Sequence, residues 1–188
     1  KHTFYDSSWK VPLIISQPGT LPEGEKRDFA VWTDITATIL GAAGTMIDTV
    51  QGFDLYNPLK EGKDSPRKCA VGTIYTGTAL ATKKWKLEYY IEEGTGRLWN
   101  RIDDPKEQYD LYNDEDYREV RDDLLKALLT WRSDIKNIEF YFEHANQGGP
   151  VSSRTVHFLK QWKGTDAEQR LNEKAVSIDE KYNLHSNN

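Results

Sequence analysis

Two kinds of hydrophobic spacing divide the 188-residue chain. Before residue 65 the apolar positions form one short run and one helical stripe. Leu13-Ile14-Ile15 follows Pro12 and stops at Pro18-Gly19. An unbroken run of leucine and β-branched residues between turn signals predicts a buried strand over residues 10–16. Pro12 stands at its start, where a missing N–H does least harm. Residues 17–27, with Pro18-Gly19 and Pro22-Glu23-Gly24, predict a turn-rich connection. Ile35, Ile39, Leu40 and Ala43 then share one helical face, Thr33 or Asp34 can cap the helix start, and Gly44 can end it in a left-handed turn. Strand, loop and capped helix make half of an α/β layer. A strand apolar on both faces needs neighbours on each side, and the remaining sequence does not offer them.

From residue 65 the period changes to two. Residues 69–75, 78–82, 85–91 and 96–101 are short β-rich runs, separated by Tyr75-Thr76-Gly77, Thr82-Lys83-Lys84 and Glu93-Gly94-Thr95-Gly96. They predict an antiparallel meander. Trp85, Leu87, Tyr89 and Ile91 alternate with mostly polar residues, so one face should be dry. Its cover is a helical stripe: Tyr117, Val120, Leu124, Leu128, Trp131 and Ile135, backed by Arg118, Glu119, Asp122, Lys126 and Arg132 on the opposite face. Burying each stripe residue is worth roughly 1.5–3 kcal/mol. Residues 137–149 read as a loop, Val156, Leu159 and Trp162 have helical spacing, and residues 166–184 are polar and partly helical. The expected class is α+β, in three parts: residues 1–64, 65–135 and a partly helical extension, 136–188.

Charge and cysteine content narrow the functions. With 30 acidic residues against 25 Lys and Arg, net charge -5, a broad nucleic-acid surface is excluded. No apolar run approaches the roughly 20 residues of a membrane span. Cys69 is alone, so there is no intrachain disulfide, and His2, His144, His157 and His185 lack metal-ligand spacing.

The first stretch, KHTFYDSSWKVPLIISQPG, resembles a sulfatase segment that starts at the active-site lysine and runs through a Tyr-acid-x-Ser-x-base-Val-Pro-Leu-Ile stretch to a Pro-Gly turn. Lys1, Tyr5, Asp6, Ser8, Lys10, Val11, Pro12, Leu13, Ile14, Pro18 and Gly19 carry the match. Asp34, Ile35, Thr38, Ile39, Leu40, Ala43 and Gly44 are similar to the helix that follows in sulfatases, and Gly52, Asp54, Leu55, Pro58, Leu59 and Gly62 to the loop after it. Trp85-Lys86-Leu87 fits a family strand. Gln108, Tyr109, Asp110, Leu111 and Asp114 fit the hinge into the last family helix, with Glu115 where proline is usual. The resemblance covers roughly residues 1–132. It implies the last strand and helix of an α/β sulfatase domain followed by a small antiparallel sheet packed against a C-terminal helix. It also implies an upstream catalytic half, and a residue 1 inside a longer protein, since it is Lys rather than Met and the pattern is already running there.

The resemblance further implies sulfate-ester hydrolysis, on a sulfated small molecule or glycan, by a parent that uses calcium and a formylglycine nucleophile and lies in the periplasm or outside the cell. Formylglycine arises from Cys or Ser in a C/S-x-P-x-R motif; Cys69 is followed by Ala70-Val71-Gly72 and does not fit. Asp6, Asp103-Asp104 and Asp122-Asp123 are poor metal ligands, better read as solvated. Lys1 matches the lysine that contacts the sulfate, where a compact ammonium meets developing negative charge. His2 is its candidate substrate-binding neighbour. Tyr5 and Trp9 either touch substrate or pin the loop, and Trp85, Trp99, Trp131 and Trp162 are read as core rather than as a sugar-stacking surface. The 188 residues alone are expected to be inactive, with no cofactor of their own. The rivals are a phosphodiesterase or phosphonate hydrolase of the same superfamily, and a binding module without chemistry.

Overall fold

The computed structural model describes residues 3–24, 29–45, 50–146 and 166–183, and the side chains of all of these except 135–146 and 166. Four strands, β1 (Ala70–Ile74), β2 (Gly77–Ala81), β3 (Trp85–Tyr90) and β4 (Thr95–Asn100), form one antiparallel sheet in the order β1-β2-β3-β4. The expected meander is therefore present. Three short helices precede it: α1 (Asp6–Trp9), α2 (Trp32–Ala42) and α3 (Tyr56–Lys60). A 3-10 turn, Glu115–Tyr117, leads into α4 (Arg118–Asn146), and α5 (Asp166–Lys181) closes the described chain. The fold is α+β.

Register sorts the side chains. Leu80 faces Leu87, and Leu87 faces Leu98. These leucines are fully buried beneath Val120, Leu124 and Leu128 of α4 and Leu171, Ala175 and Ile178 of α5. The stripe predicted for α4 is the one that packs, with Tyr117 and Trp131 at its margins; Ile135 lies outside the described side chains. Two readings change here. Residues 137–146 are not loop but continue α4, because the glycine–proline punctuation begins only at Gly148-Gly149-Pro150. And α5, polar by composition, sinks its few apolar residues into the same core. Its C-terminal half grips the β2–β3 turn, where Asp179 accepts hydrogen bonds from the Thr82 hydroxyl at 2.6 Å and the Lys83 N–H at 3.0 Å.

The first 64 residues differ more from expectation. Residues 10–17 form no strand. Ile14 is 87% exposed, and Val11 and Leu13 are also exposed. Backbone N–H and C=O groups make a strand only against a partner, and all four described strands pair among themselves. The Pro18-Gly19 turn does form: the Leu21 N–H donates to the Gln17 carbonyl at 3.0 Å and Gly19 takes φ 78°. Helix α2 ends as predicted, with Gly44 at φ 70°, Gly44 N–H on Gly41 and Thr45 N–H on Leu40. Its start differs, since Val31 holds the capping position and the Asp34 carboxylate accepts the Val31 N–H at 2.9 Å. Its buried face is Asp34, Ala37, Thr38 and Gly41, whereas Ile39 of the predicted stripe is 63% exposed. Gly41 is required there, because a Cβ would overlap the Asp54 carboxylate.

Candidate functional site

The second face of the sheet is also covered, and the cover is the segment that follows Lys1. Ala70, Gly72, Gly77, Ala79 and Ala81 occupy that face on β1 and β2 by the pairing register. Such small side chains leave a trough, and aromatic rings fill it. Trp9 lies over Gly72, where a Cβ would stand 3.1 Å from its ring. Phe4 is wholly buried against Gly77 and meets Trp9 edge to face at 5.6 Å. Tyr5 stacks at a tilt on Trp99 with centroids 5.3 Å apart, and the Arg97 guanidinium sits over the Tyr5 ring at 5.5 Å. Tyr5 and Trp9 thus pin the segment.

Lys86 and Glu88 project from β3 into this layer, both fully buried. The Lys86 ammonium donates to Glu107 Oε1 at 2.6 Å and to Asp6 Oδ1 at 3.0 Å, between the rings of Trp9 and Trp99 at 5.4 and 5.6 Å. Arg101 stands 3.9 Å from Asp6 Oδ2. Two cations thus balance two carboxylates, with Lys86 and Glu107 buried and Asp6 and Arg101 half-buried. Burial alone would raise the Asp6 carboxyl, but the hydrogen bond and charge of Lys86, helped by Arg101, outweigh it and hold Asp6 below the usual carboxylate range. Glu88 goes the other way. Burial pushes it up, against the opposing Tyr90 hydroxyl at 3.0 Å and Arg97 at 3.6 Å. Its Oε1 has no partner among the described residues.

A second buried knot joins the regions. The Arg67 guanidinium donates twice to Asp34, both at 2.7 Å, and once to Glu168 of α5 at 2.6 Å. Asp34 also accepts the N–H groups of Val31 and Phe53, and Glu168 accepts from the Trp131 indole at 3.1 Å. Helix α2, the loop after it and α5 therefore share one cation.

Lys1 and His2, the predicted catalytic and substrate-binding residues, lie outside the described residues, as do the side chains of His144, His157, His185 and Trp162. Trp85 and Trp99 are buried and Trp131 half-buried against the core, so these three serve packing. Asp6 is not a solvated carboxylate. Asp103 accepts from the Asn100 amide, Asp104 from the Tyr109 N–H, and Asp123 from Lys181 and Tyr182. Cys69 is fully buried and burial pushes its thiol up to about 12, which rules out a nucleophilic thiolate. Among the described residues no group of three or more His, Cys, Asp or Glu side chains is arranged to hold a metal ion. The two carboxylates that converge, Asp6 and Glu107, hold the Lys86 ammonium instead, so these residues do not fit a calcium ion.

The sequence reading missed Lys86, Glu107, Arg67 and Glu168. Alternation in Trp85-Lys86-Leu87-Glu88 reads as one dry and one wet face. The available signal was the small residues Ala70, Gly72, Gly77, Ala79 and Ala81 at alternate positions of β1 and β2, with Ile74 the exception, which mark a face that something covers.

A family described as N-sulphoglucosamine sulphohydrolase, C-terminal, matches residues 1–134. The chain belongs to that family. It is therefore a C-terminal sulfatase portion. An arylsulfatase of Clostridium perfringens (strain 13 / Type A) is 31% identical to it over 161 residues, covering 79% of this chain and 33% of the relative. An ulvan-active sulfatase of Formosa agariphila is 21% identical over 171 residues, covering 70% and 34%. A protein solved in complex with its substrate D-glucosamine-2-N,6-O-disulfate superposes with a TM-score of 0.48 at 20% identity, over 55% of this chain and 24% of the other. The chain spans about a third of the curated relatives it matches.

Proposed function

We propose that the chain is the C-terminal part of a sulfate-ester hydrolase and that its sheet seats the segment presenting Lys1 to the sulfate group. The family match over residues 1–134 carries the sulfatase reading, and the role given to Lys1 rests on the resemblance of the KHTFYDSSWKVPLIISQPG stretch. The family description and the ulvan-active sulfatase point to sulfated sugars as the substrate class, and the arylsulfatase to aryl sulfates as accepted probes. In this reading residues 1–64 end the α/β catalytic domain, residues 65–135 form the sheet–helix subdomain, and residues 136–188 extend it. Trp32, 78% exposed, and the exposed Val11, Leu13, Ile14 and Ile39 are the apolar side chains that the upstream catalytic half would cover. Lys1 would bind the sulfate oxygens and the charge that grows in the transition state. His2 would line the same pocket. The formylglycine nucleophile and calcium expected of the parent would come from outside the described residues, and calcium there would draw charge from the sulfate oxygens.

The test is release of 4-nitrophenol from 4-nitrophenyl sulfate by the whole protein and by the 188-residue chain. The whole protein should turn over, and its Lys1→Ala variant should lose about a hundredfold in kcat/KM, the scale of one lost charge-assisted contact in the transition state. The 188-residue chain alone should show none. Turnover by this chain alone, or an unimpaired Lys1→Ala variant, overturns the reading.

A further inference from the structure

We infer that Glu107, acting with Lys86, is a positioning residue for Lys1; this rests on the sulfatase reading. Glu107 holds the Lys1-bearing segment at two points at once. Its Oε2 accepts the Asp6 backbone N–H at 2.9 Å, while its Oε1 holds Lys86, which binds the Asp6 carboxylate. A contact to the side chain alone would leave the segment free to turn about Asp6. Gripping the N–H as well fixes the direction in which the chain leaves toward Lys1. Lys1 stands five positions before Asp6, a span of at most about 18 Å when extended, and Phe4, wholly buried, fixes the path part-way.

Two features support a role for the grip beyond packing: a turn that fixes the Glu107 backbone, and the buried ion pair itself. Glu107 takes φ 56°, a left-handed conformation that a non-glycine residue adopts only when its surroundings impose it. The turn before it enforces this, with the Asp104 N–H on Asn100 and the Glu107 N–H on Asp104. In addition, replacing a buried ion pair by apolar side chains of similar volume is often neutral for stability, so the buried Lys86 pair is better accounted for by the orientation it gives the segment. The Lys86 ammonium is aimed at the segment and not at the sheet.

The experiment is a double-mutant cycle in the whole protein with 4-nitrophenyl sulfate as probe. If Glu107 acts through Lys1, Glu107→Ala lowers kcat by roughly tenfold at little-changed KM in the wild-type background, and by less than about twofold when Lys1 is already alanine. Glu107→Gln keeps one oxygen for the Asp6 N–H but turns an amide NH2 toward the Lys86 ammonium, so it should lose about threefold in kcat in the wild-type background and almost nothing when Lys1 is alanine, and it carries the same cycle if the alanine variant does not fold. Equal losses in both backgrounds, or no loss in either, overturn the inference. Hydrogen exchange at the Asp6 amide of the 188-residue chain reads the grip without any activity. It should quicken by at least about tenfold in Glu107→Ala while the Leu124 amide in α4 keeps its rate, and an unchanged Asp6 amide overturns the grip. If the wild-type whole protein releases no 4-nitrophenol, the sulfatase reading fails, and the Asp6 exchange result still decides whether the grip exists.

Discussion

Leu13 and Ile14 stand in solvent near the start of the chain, while Leu87 and Leu98 further along are wholly buried. The residue types are alike and their surroundings are not. Among the described side chains of residues 65–134 and 167–183 the main apolar stripes meet one another: strand against strand, α4 over the sheet, α5 beside α4. In residues 3–64 helix α2 buries small or polar positions, Asp34, Ala37, Thr38 and Gly41, and turns Trp32 and Ile39 outward, while Val11, Leu13 and Ile14 are also exposed; Phe4, Leu55 and Tyr56 are the large side chains this region buries. The first region therefore keeps its place by ionic knots and aromatic rings laid on the sheet, and its apolar surface is left for contacts beyond the described residues. Burial within one chain and burial against something else leave the same mark in a sequence. Only the three-dimensional partner tells them apart.

The comparison can be broken at its joints. The largest effect is expected at Arg67, which ties the two regions. Arg67→Ala leaves Asp34 and Glu168 buried and uncompensated and should cost about 3–5 kcal/mol of unfolding free energy in urea titration. Leu98→Ala, in the core of the second region, should cost roughly 2–5 kcal/mol in the same assay. Gly72→Val places a side chain under the Trp9 ring. It should cost about 1–3 kcal/mol by overpacking and shift tryptophan fluorescence to the red as Trp9 lifts.

A smaller effect comes from two carboxylates beside the seat, which titrate with opposite sign. Glu88 is raised above its ordinary 4.5, so the stability it contributes is complete below that value and lost as pH rises through its native one. Asp6 is lowered from 3.8, so its contribution is present above that value and lost as pH falls through its native one. Glu88→Gln should remove the decline on the rising side in a urea-midpoint series against pH; an unchanged series shows that Glu88 titrates as an ordinary carboxyl. The smallest effect is at Ile14. Ile14→Ser should change the stability of the 188-residue chain by no more than about 0.5 kcal/mol. A loss as large as that of Leu98→Ala would erase the distinction between the regions.

What was legible follows the same division. The meander, its turns and the stripe from Val120 to Leu128 could be read because their partners lie close in sequence and have matching periods. The strand expected at residues 10–16 could not form, since a run such as Leu13-Ile14-Ile15 states an appetite for burial and not where it is met. The candidate site was half legible. Lys1 and its segment were marked by family resemblance, and Tyr5 and Trp9 as rings able to pin it. Lys86 and Glu107 were hidden, because a charged residue in a strand reads as solvated until its counter-ions, here from 80 residues before and 21 after, are brought to it. Arg67 and Glu168, 101 positions apart, were illegible for the same reason.

Cys69 carries one last consequence. As the single sulfhydryl of the chain it sits sealed where β1 begins, its Sγ donating to the Asn172 amide oxygen of α5 at 3.4 Å. A maleimide or disulfide reagent can reach it only when α5 parts from the sheet, and only a thiolate reacts quickly. The pace of labelling in native buffer therefore counts those openings. The molecule comes with its own stopwatch, and no foreign dye site has to be engineered to read it.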